Sequence, residues 1–187
     1  MTVSETVKRP RGRPSSKAQI LDAAAAVVAE VGANHLTLEA VAERAGVSKG
    51  GLLYNYATKD ALLQAMVERF VDECVSRREA LAAELGGDKR GELRALLLAR
   101  CKGEEGARKM AHGMLAAVAE NPRLLDPARE AQADVTRILR NADNPVDAAV
   151  AWLALEGLAF LDLLDVCPFN AEERERIVDR VMAIADS

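Results

Sequence analysis

Apolar residues return at helical spacing along almost the whole chain. Ile20, Ala24, Val27, Val28 and Val31 recur every three or four residues, behind a cap at Ser15 or Ser16 and ahead of Gly32. Leu38, Val41, Ala42 and Ala45 repeat the pattern once, with Thr37 as N-cap, Glu39 in the first turn and Gly46 as breaker. Ser48 caps another short segment that runs to about Asn55. Thr58 opens a long one, with Leu62, Leu63, Met66, Val67, Phe70, Val71 and Cys74 as its buried stripe, ending near Leu85 before Gly86-Gly87. At 1.5 Å per residue that helix is roughly 40 Å long, enough to join one unit of the fold to another.

The remainder predicts further helices and no strands. One spans Asp88 to about Cys101, and a second about Glu104 to Glu120, stopping at Asn121-Pro122. Asp126-Pro127 and Asn144-Pro145 each start a helix with proline in the favoured first position. The second of these continues to about Asp165 and is apolar nearly all round. It carries Asp147, Glu156 and Asp162, so it reads as a buried helix of a soluble protein, with no membrane partner. Asn170 and Glu173 have the spacing of a capping box for a last helix ending near Ala185.

The fold class is therefore all-α. Helix, glycine turn and helix follow one another within about 18 residues, the helix-turn-helix pattern. This predicts a three-helix head over residues 15–60 and a larger helical body over 61–187. Residues 1–14 contain Pro10, Gly12 and Pro14 and no periodicity, and are expected to be a disordered tail.

Charge adds direction to this picture. The net charge of −4 conceals +2 on residues 1–60 and −6 on the rest. Between Thr6 and Leu21 stand Lys8, Arg9, Arg11, Arg13 and Lys17 without one acid. A basic start on an acidic body points to a polyanionic partner for the start, or else to a solubilising tail. Arg11-Gly12-Arg13-Pro14 has the form of an AT-hook core, whose arginines enter a narrow A·T-rich minor groove. The three cysteines, Cys74, Cys101 and Cys167, are odd in number and widely spaced, and the only histidines are His35 and His112. No disulfide framework, metal site or cofactor is expected, and a reducing cytoplasm is the simplest location.

The stretch Val47-Ser48-Lys49-Gly50-Gly51-Leu52-Leu53-Tyr54-Asn55-Tyr56-Ala57-Thr58-Lys59-Asp60-Ala61-Leu62 resembles the signature of the TetR family of repressors. That signature reads Val-Ser-x-Gly-x-Leu-Tyr, two variable positions, an aromatic, and then Ser/Thr/Asn-Lys-Glu/Asp-x-Leu after one more residue. Val47, Ser48, Gly50, Leu52, Tyr56, Thr58, Lys59, Asp60 and Leu62 fit it; Leu53 replaces the signature tyrosine and Ala57 the usual proline. The specific likeness spans residues 16–65, and the rest agrees only in length and helical character. It implies a nine- or ten-helix protein that dimerises through its last two long helices and holds a ligand inside its body.

Candidate DNA contacts follow. Lys49, in the first turn of the recognition helix, suits guanine O6/N7 or a phosphate. Gly50 and Gly51 let the backbone approach the bases, and Tyr54 lies one turn on, within reach of a thymine methyl or a phosphate. Thr37, Ser48, Asn55 and Lys59 lie at helix starts or the head's edge, where phosphates bind. The resemblance implies backbone contacts for Thr37 and Lys59 and base contacts for Lys49, Gly51 and Tyr54. Arg11 and Arg13 would add minor-groove contacts, and Tyr56 is expected in the head's core.

In the body, the nearly all-apolar helix and the last helix (Ile177, Val178, Val181, Met182, Ile184) are the expected homodimer interface, or simply monomer core. Ala151, Ala154 and Gly157 or Leu158 would allow close approach. Ligand candidates are Phe70, Cys74, Cys101, Met110, Met114, Trp152, Glu156 and Phe160, residues that would equally suit a plain core. His112 is expected to be solvated or structural. The functional expectation is a dimeric repressor on a palindromic double-stranded DNA operator, released by a small-molecule effector that shifts the long fourth helix. The alternatives are an architectural DNA binder without sequence choice, a regulator that is an activator or ligand-independent, and an enzyme using Cys101 and His112. No local motif supports the enzyme.

Overall fold

The structure is a computed structural model that describes residues 15–101 and 105–185. It contains α1 (Ser16–Val31), α2 (Leu38–Ala45), α3 (Lys49–Asn55), α4 (Lys59–Glu84), α5 (Lys89–Cys101), α6 (Glu105–Glu120), α7 (Asp126–Asn141), α8 (Pro145–Leu163) and α9 (Ala171–Ala185). Single 3₁₀ turns stand at Ala33–His35 and Pro122–Leu125, and no strand occurs among the described residues. The sequence reading places Asn121-Pro122 as a stop and passes over the second turn. The Asn121 side chain caps it by accepting from the Arg123 N–H.

Caps drawn from the sequence are formed. Ser15, Thr37, Ser48 and Thr58 accept from the N–H three residues on, at 3.2, 3.2, 3.0 and 3.1 Å. The capping box is reciprocal: the Glu173 N–H donates to Asn170 Oδ1 at 3.0 Å, and the Asn170 N–H donates to Glu173 Oε2 at 2.9 Å.

Two apolar cores divide the packing. The first joins Ile20, Ala24 and Val28 of α1, Val41 of α2, Leu52 of α3 and Leu62, Leu63 and Met66 of α4 with Met114 and Ala117 of α6 and Leu124. The head is thus closed by α6, which lies about fifty residues beyond it in the chain. The second core joins Leu93 and Leu97 of α5, Ile138 of α7, Ala151, Leu155 and Leu158 of α8 and Val181 of α9. The long α4 runs from the first core to a buried Arg78, which pairs with Asp134 of α7. Arg137 carries the link on to Glu92 of α5, at 3.0 Å.

Two expected buried positions are exposed. Val31 ends α1 one turn past the crossing with α6, and Cys74 lies on α4 beyond the first core, exposed although burial beside Arg77 and Arg100 still pushes its thiol pKa up. The apolar face of α9 turns inward: Val181 is buried, and Ile177, Val178 and Met182 pack on the second core.

Candidate nucleic-acid interface

The α2–α3 turn depends on one glycine. Gly46 adopts φ +66°, a left-handed conformation that side chains rarely tolerate. Its N–H bonds the Glu43 carbonyl at 3.1 Å, and the next N–H, of Val47, bonds Ala42 at 3.0 Å. The helix ends abruptly and the chain re-enters α3 under the Ser48 cap.

Leu52 and Tyr56 then anchor α3 in the first core, which turns Gly50, Leu53 and Tyr54 outward. Tyr54 is 92% exposed, an unusual position for an aromatic ring on a seven-residue helix. A Cβ on Gly50 would meet nothing within 4 Å, so the backbone there is open to any approaching surface. A Cβ on Gly51 would lie 3.2 Å from Ser48 Oγ, so glycine there keeps the cap uncrowded.

The polar candidates are already engaged. Lys49 Nζ lies 2.6 Å from Glu39 Oε1, and this contact holds the Glu39 carboxyl below its ordinary range. The Asn55 amide donates to the Gly51 carbonyl at 2.8 Å, and Lys59 Nζ donates to the Asn34 carbonyl at 2.7 Å. The hydroxyls of Thr37 and Ser48 accept from helix N–H groups. Arg44 forms a two-pronged pair with Glu30 at 2.5 and 2.6 Å, bracing α2 against α1.

Tyr56 sits in the core, 4% exposed, and its hydroxyl has no hydrogen-bond partner among the described residues. Burial pushes its phenol pKa up, and Lys17 Nζ stands 5.9 Å from the ring centre. Arg11 and Arg13 lie outside the described residues.

The eight ligand candidates are spread over the fold. Met114 is buried in the first core with Met110 against it, and Trp152 packs on the second. Glu156 pairs with Arg100 at 2.9 Å. Phe160 points outward, Cys74 and Cys101 are exposed, and Phe70 is half-buried. A groove of about 430 Å³ between α4 and α7 is lined by none of them. It carries Glu68, Asp72, Asp126 and Glu130, with Val71 and Pro127 between them. The sequence shows each pair of acids four apart, but not that the two helices meet.

Comparison with known proteins supplies the context. Residues 20–66 match the family described as bacterial regulatory proteins, tetR family, and residues 90–186 match the tetracyclin repressor-like C-terminal domain. The HTH-type transcriptional regulator RutR of Escherichia coli (strain K12) is 40% identical over 70 residues, 37% of this chain and 33% of RutR. The regulator BetI of Yersinia pestis (strain Pestoides F) is 34% identical over 87 residues, 45% of this chain and 43% of BetI. The chain thus spans from a third to under half the length of these curated relatives.

Among solved structures, a transcriptional regulator from Streptomyces coelicolor A3(2) shares the fold with a TM-score of 0.70 at 20% identity, covering 93% of this chain and 100% of that one. The multidrug binding protein EbrR, complexed with imidazole, has a TM-score of 0.61 at 25% identity, covering 90% and 96%. The glycine turn, the outward α3 and a C-terminal match over about half the sequence agree: the chain belongs to the TetR family of bacterial transcriptional regulators.

Proposed function

We propose that this protein is a homodimeric, sequence-specific repressor that binds a palindromic operator and leaves it when a small molecule occupies its body. The outer face of α3 carries the reading. It offers an exposed tyrosine, an open glycine backbone and a lysine on a helix narrow enough for a major groove about 12 Å wide. Lys49 would exchange Glu39 for a base or phosphate, and Tyr54 would touch bases or backbone. Thr37, Ser48 and the N-terminal N–H groups would receive phosphates, with Arg11 and Arg13 in the adjacent minor groove. Asn55 and Lys59 would act beside their internal bonds or after releasing them.

Dimerisation is supported by α8. Val146, Val150, Leu153, Phe160 and Leu164 are between 41% and 70% exposed and follow a heptad-like stripe, with Gly157 in the gap. A second copy on a twofold axis would cover this stripe and present two heads to one palindrome. The effector would act by favouring a body conformation that changes the separation of the heads. Both α4 and α6 link the body to the first core and are suited to transmit it. A DNA-bound regulator of this kind works in the cytoplasm.

Selection of bound sites from random duplexes tests the proposal. A single palindrome with two half-sites is expected, and Lys49→Ala or Tyr54→Ala should weaken its binding by about 1–3 kcal/mol. Salt-sensitive, sequence-blind retention would instead support the architectural reading.

A further inference from the structure

Glu39 is an acid beside the outer face of α3, and the function proposed above gives it no role beyond partnering Lys49. Its carboxylate lies 2.6 Å from the Lys49 ammonium, and the two side chains are 63% and 61% exposed. A pair so exposed contributes little to stability. Nor is it needed to place α3, because Val41 and Leu52 are buried in one core and Gly46 sets the turn between the helices. The hydrogen bond from Lys49 holds the Glu39 carboxyl below its ordinary range, so at neutral pH it is ionised and only accepts.

Phosphates repel such a group. The donors that a major groove offers it are the base amino groups, cytosine N4 and adenine N6. The lysine decides between them. An ammonium has three N–H donors. A G·C pair presents two neighbouring acceptors, guanine N7 and O6, and then the cytosine N4 donor. O6 and N4 are themselves hydrogen-bonded to each other, about 2.9 Å apart. The 2.6 Å between Lys49 Nζ and Glu39 Oε1 is close to that spacing.

We infer that Glu39 and Lys49 together read one G·C pair in each half-site, Lys49 donating to guanine O6 and N7 and Glu39 accepting from N4 of the paired cytosine. Lys49 leaves Glu39 for the guanine, and the released carboxylate gains the cytosine amino group, so neither charge is left without a partner. An A·T pair in the same place reverses both contacts. Adenine N6–H then faces the ammonium, donor against donor, and thymine O4 faces the carboxylate, acceptor against acceptor. Charged groups left unsatisfied in the groove are costly, so the mismatches discriminate as much as the bonds do. The inference deepens the operator-binding reading and rests on it.

Site selection from random duplexes, run on the full chain and on its Glu39→Ala variant, provides the test. Glu39 is exposed and Thr37 supplies the α2 cap, so the variant should keep the helicity and melting temperature of the parent. The parent is expected to select a palindrome with a fixed G·C pair at one position of each half-site, and the variant to relax at that position alone. The selected duplex is then remade with 2-pyrimidinone, a cytosine lacking only its N4 amino group, at that position of one half-site. The parent should lose about tenfold in affinity and Glu39→Ala less than about twofold, as for loss of one specific base contact. Equal losses in the two proteins, or a palindrome with no G·C position that depends on Glu39, overturn the inference and leave the repressor reading standing. Tighter binding of every duplex by Glu39→Ala confines Glu39 to masking Lys49 and likewise overturns it. Sequence-blind retention of DNA by the parent overturns both readings.

Discussion

Gly113 lies within α6, where that helix crosses α1. A Cβ built there would stand 2.5 Å from the Val28 carbonyl oxygen and 2.8 Å from Val28 Cγ1. The nearest obstacle is backbone, so it cannot rotate away. The helices must part by at least about half an ångström in a close-packed core, an overpacking cost of about 1–3 kcal/mol. Alanine recovers about 1 kcal/mol of helix propensity, which leaves Gly113→Ala about 0–2 kcal/mol destabilised. Gly50→Ala separates the two effects. A Cβ on Gly50 meets nothing within 4 Å, so that substitution gains up to about 1 kcal/mol and incurs no steric cost. Between the two variants the propensity contribution largely cancels, and the difference of about 1–3 kcal/mol is steric. At about 2–4 °C per kcal/mol for a protein of this size, their melting temperatures should differ by roughly 2–12 °C. Urea and thermal unfolding followed by circular dichroism measure this directly. If Gly113→Ala is as stable as Gly50→Ala, the close crossing is not a feature of the folded protein and the reasoning fails.

Three other substitutions probe separate features. Tyr56→Phe removes a buried hydroxyl that lacks a partner, so stability should hold or rise by up to about 2 kcal/mol; a loss of 1 kcal/mol or more in a urea melt would expose a bonded hydroxyl. Arg174 beside Asp162 holds that carboxyl below its ordinary range. Its folded pKa therefore lies below its unfolded one, and the stabilisation is present above about pH 4 and lost as pH falls through the folded value. Asp162→Asn should then melt below the parent at pH 7 and converge with it in acid; parallel curves would refute the assignment. Leu153→Glu places a charge in the α8 stripe and should yield a folded monomer by sedimentation, whereas a surviving dimer would put the seam elsewhere.

Much of this protein is decided within four or five residues of sequence. The caps at Thr37, Ser48 and Thr58, the Asn170–Glu173 box and the left-handed Gly46 each depend on neighbours in the same turn, so their geometry follows from local chemistry. The helix-turn-helix is legible for that reason, as is the core position of Tyr56, which lies one turn beyond Leu52. Periodicity also identifies apolar faces, but not what covers them. The stripe of α9 and part of α8 entered the monomer core, and the rest of α8 remained outward. Val31 and Cys74, apolar by pattern, are exposed, because spacing does not say which positions of a face a neighbouring helix will cover. Lys49 met Glu39, a partner supplied by a different helix. The closing of the head by α6 and the meeting of Glu68 and Asp72 with Asp126 and Glu130 join segments about fifty or more residues apart. Helix crossing points and spacings determine such contacts, and they depend on every interdigitating side chain at once; only the tertiary structure decides them.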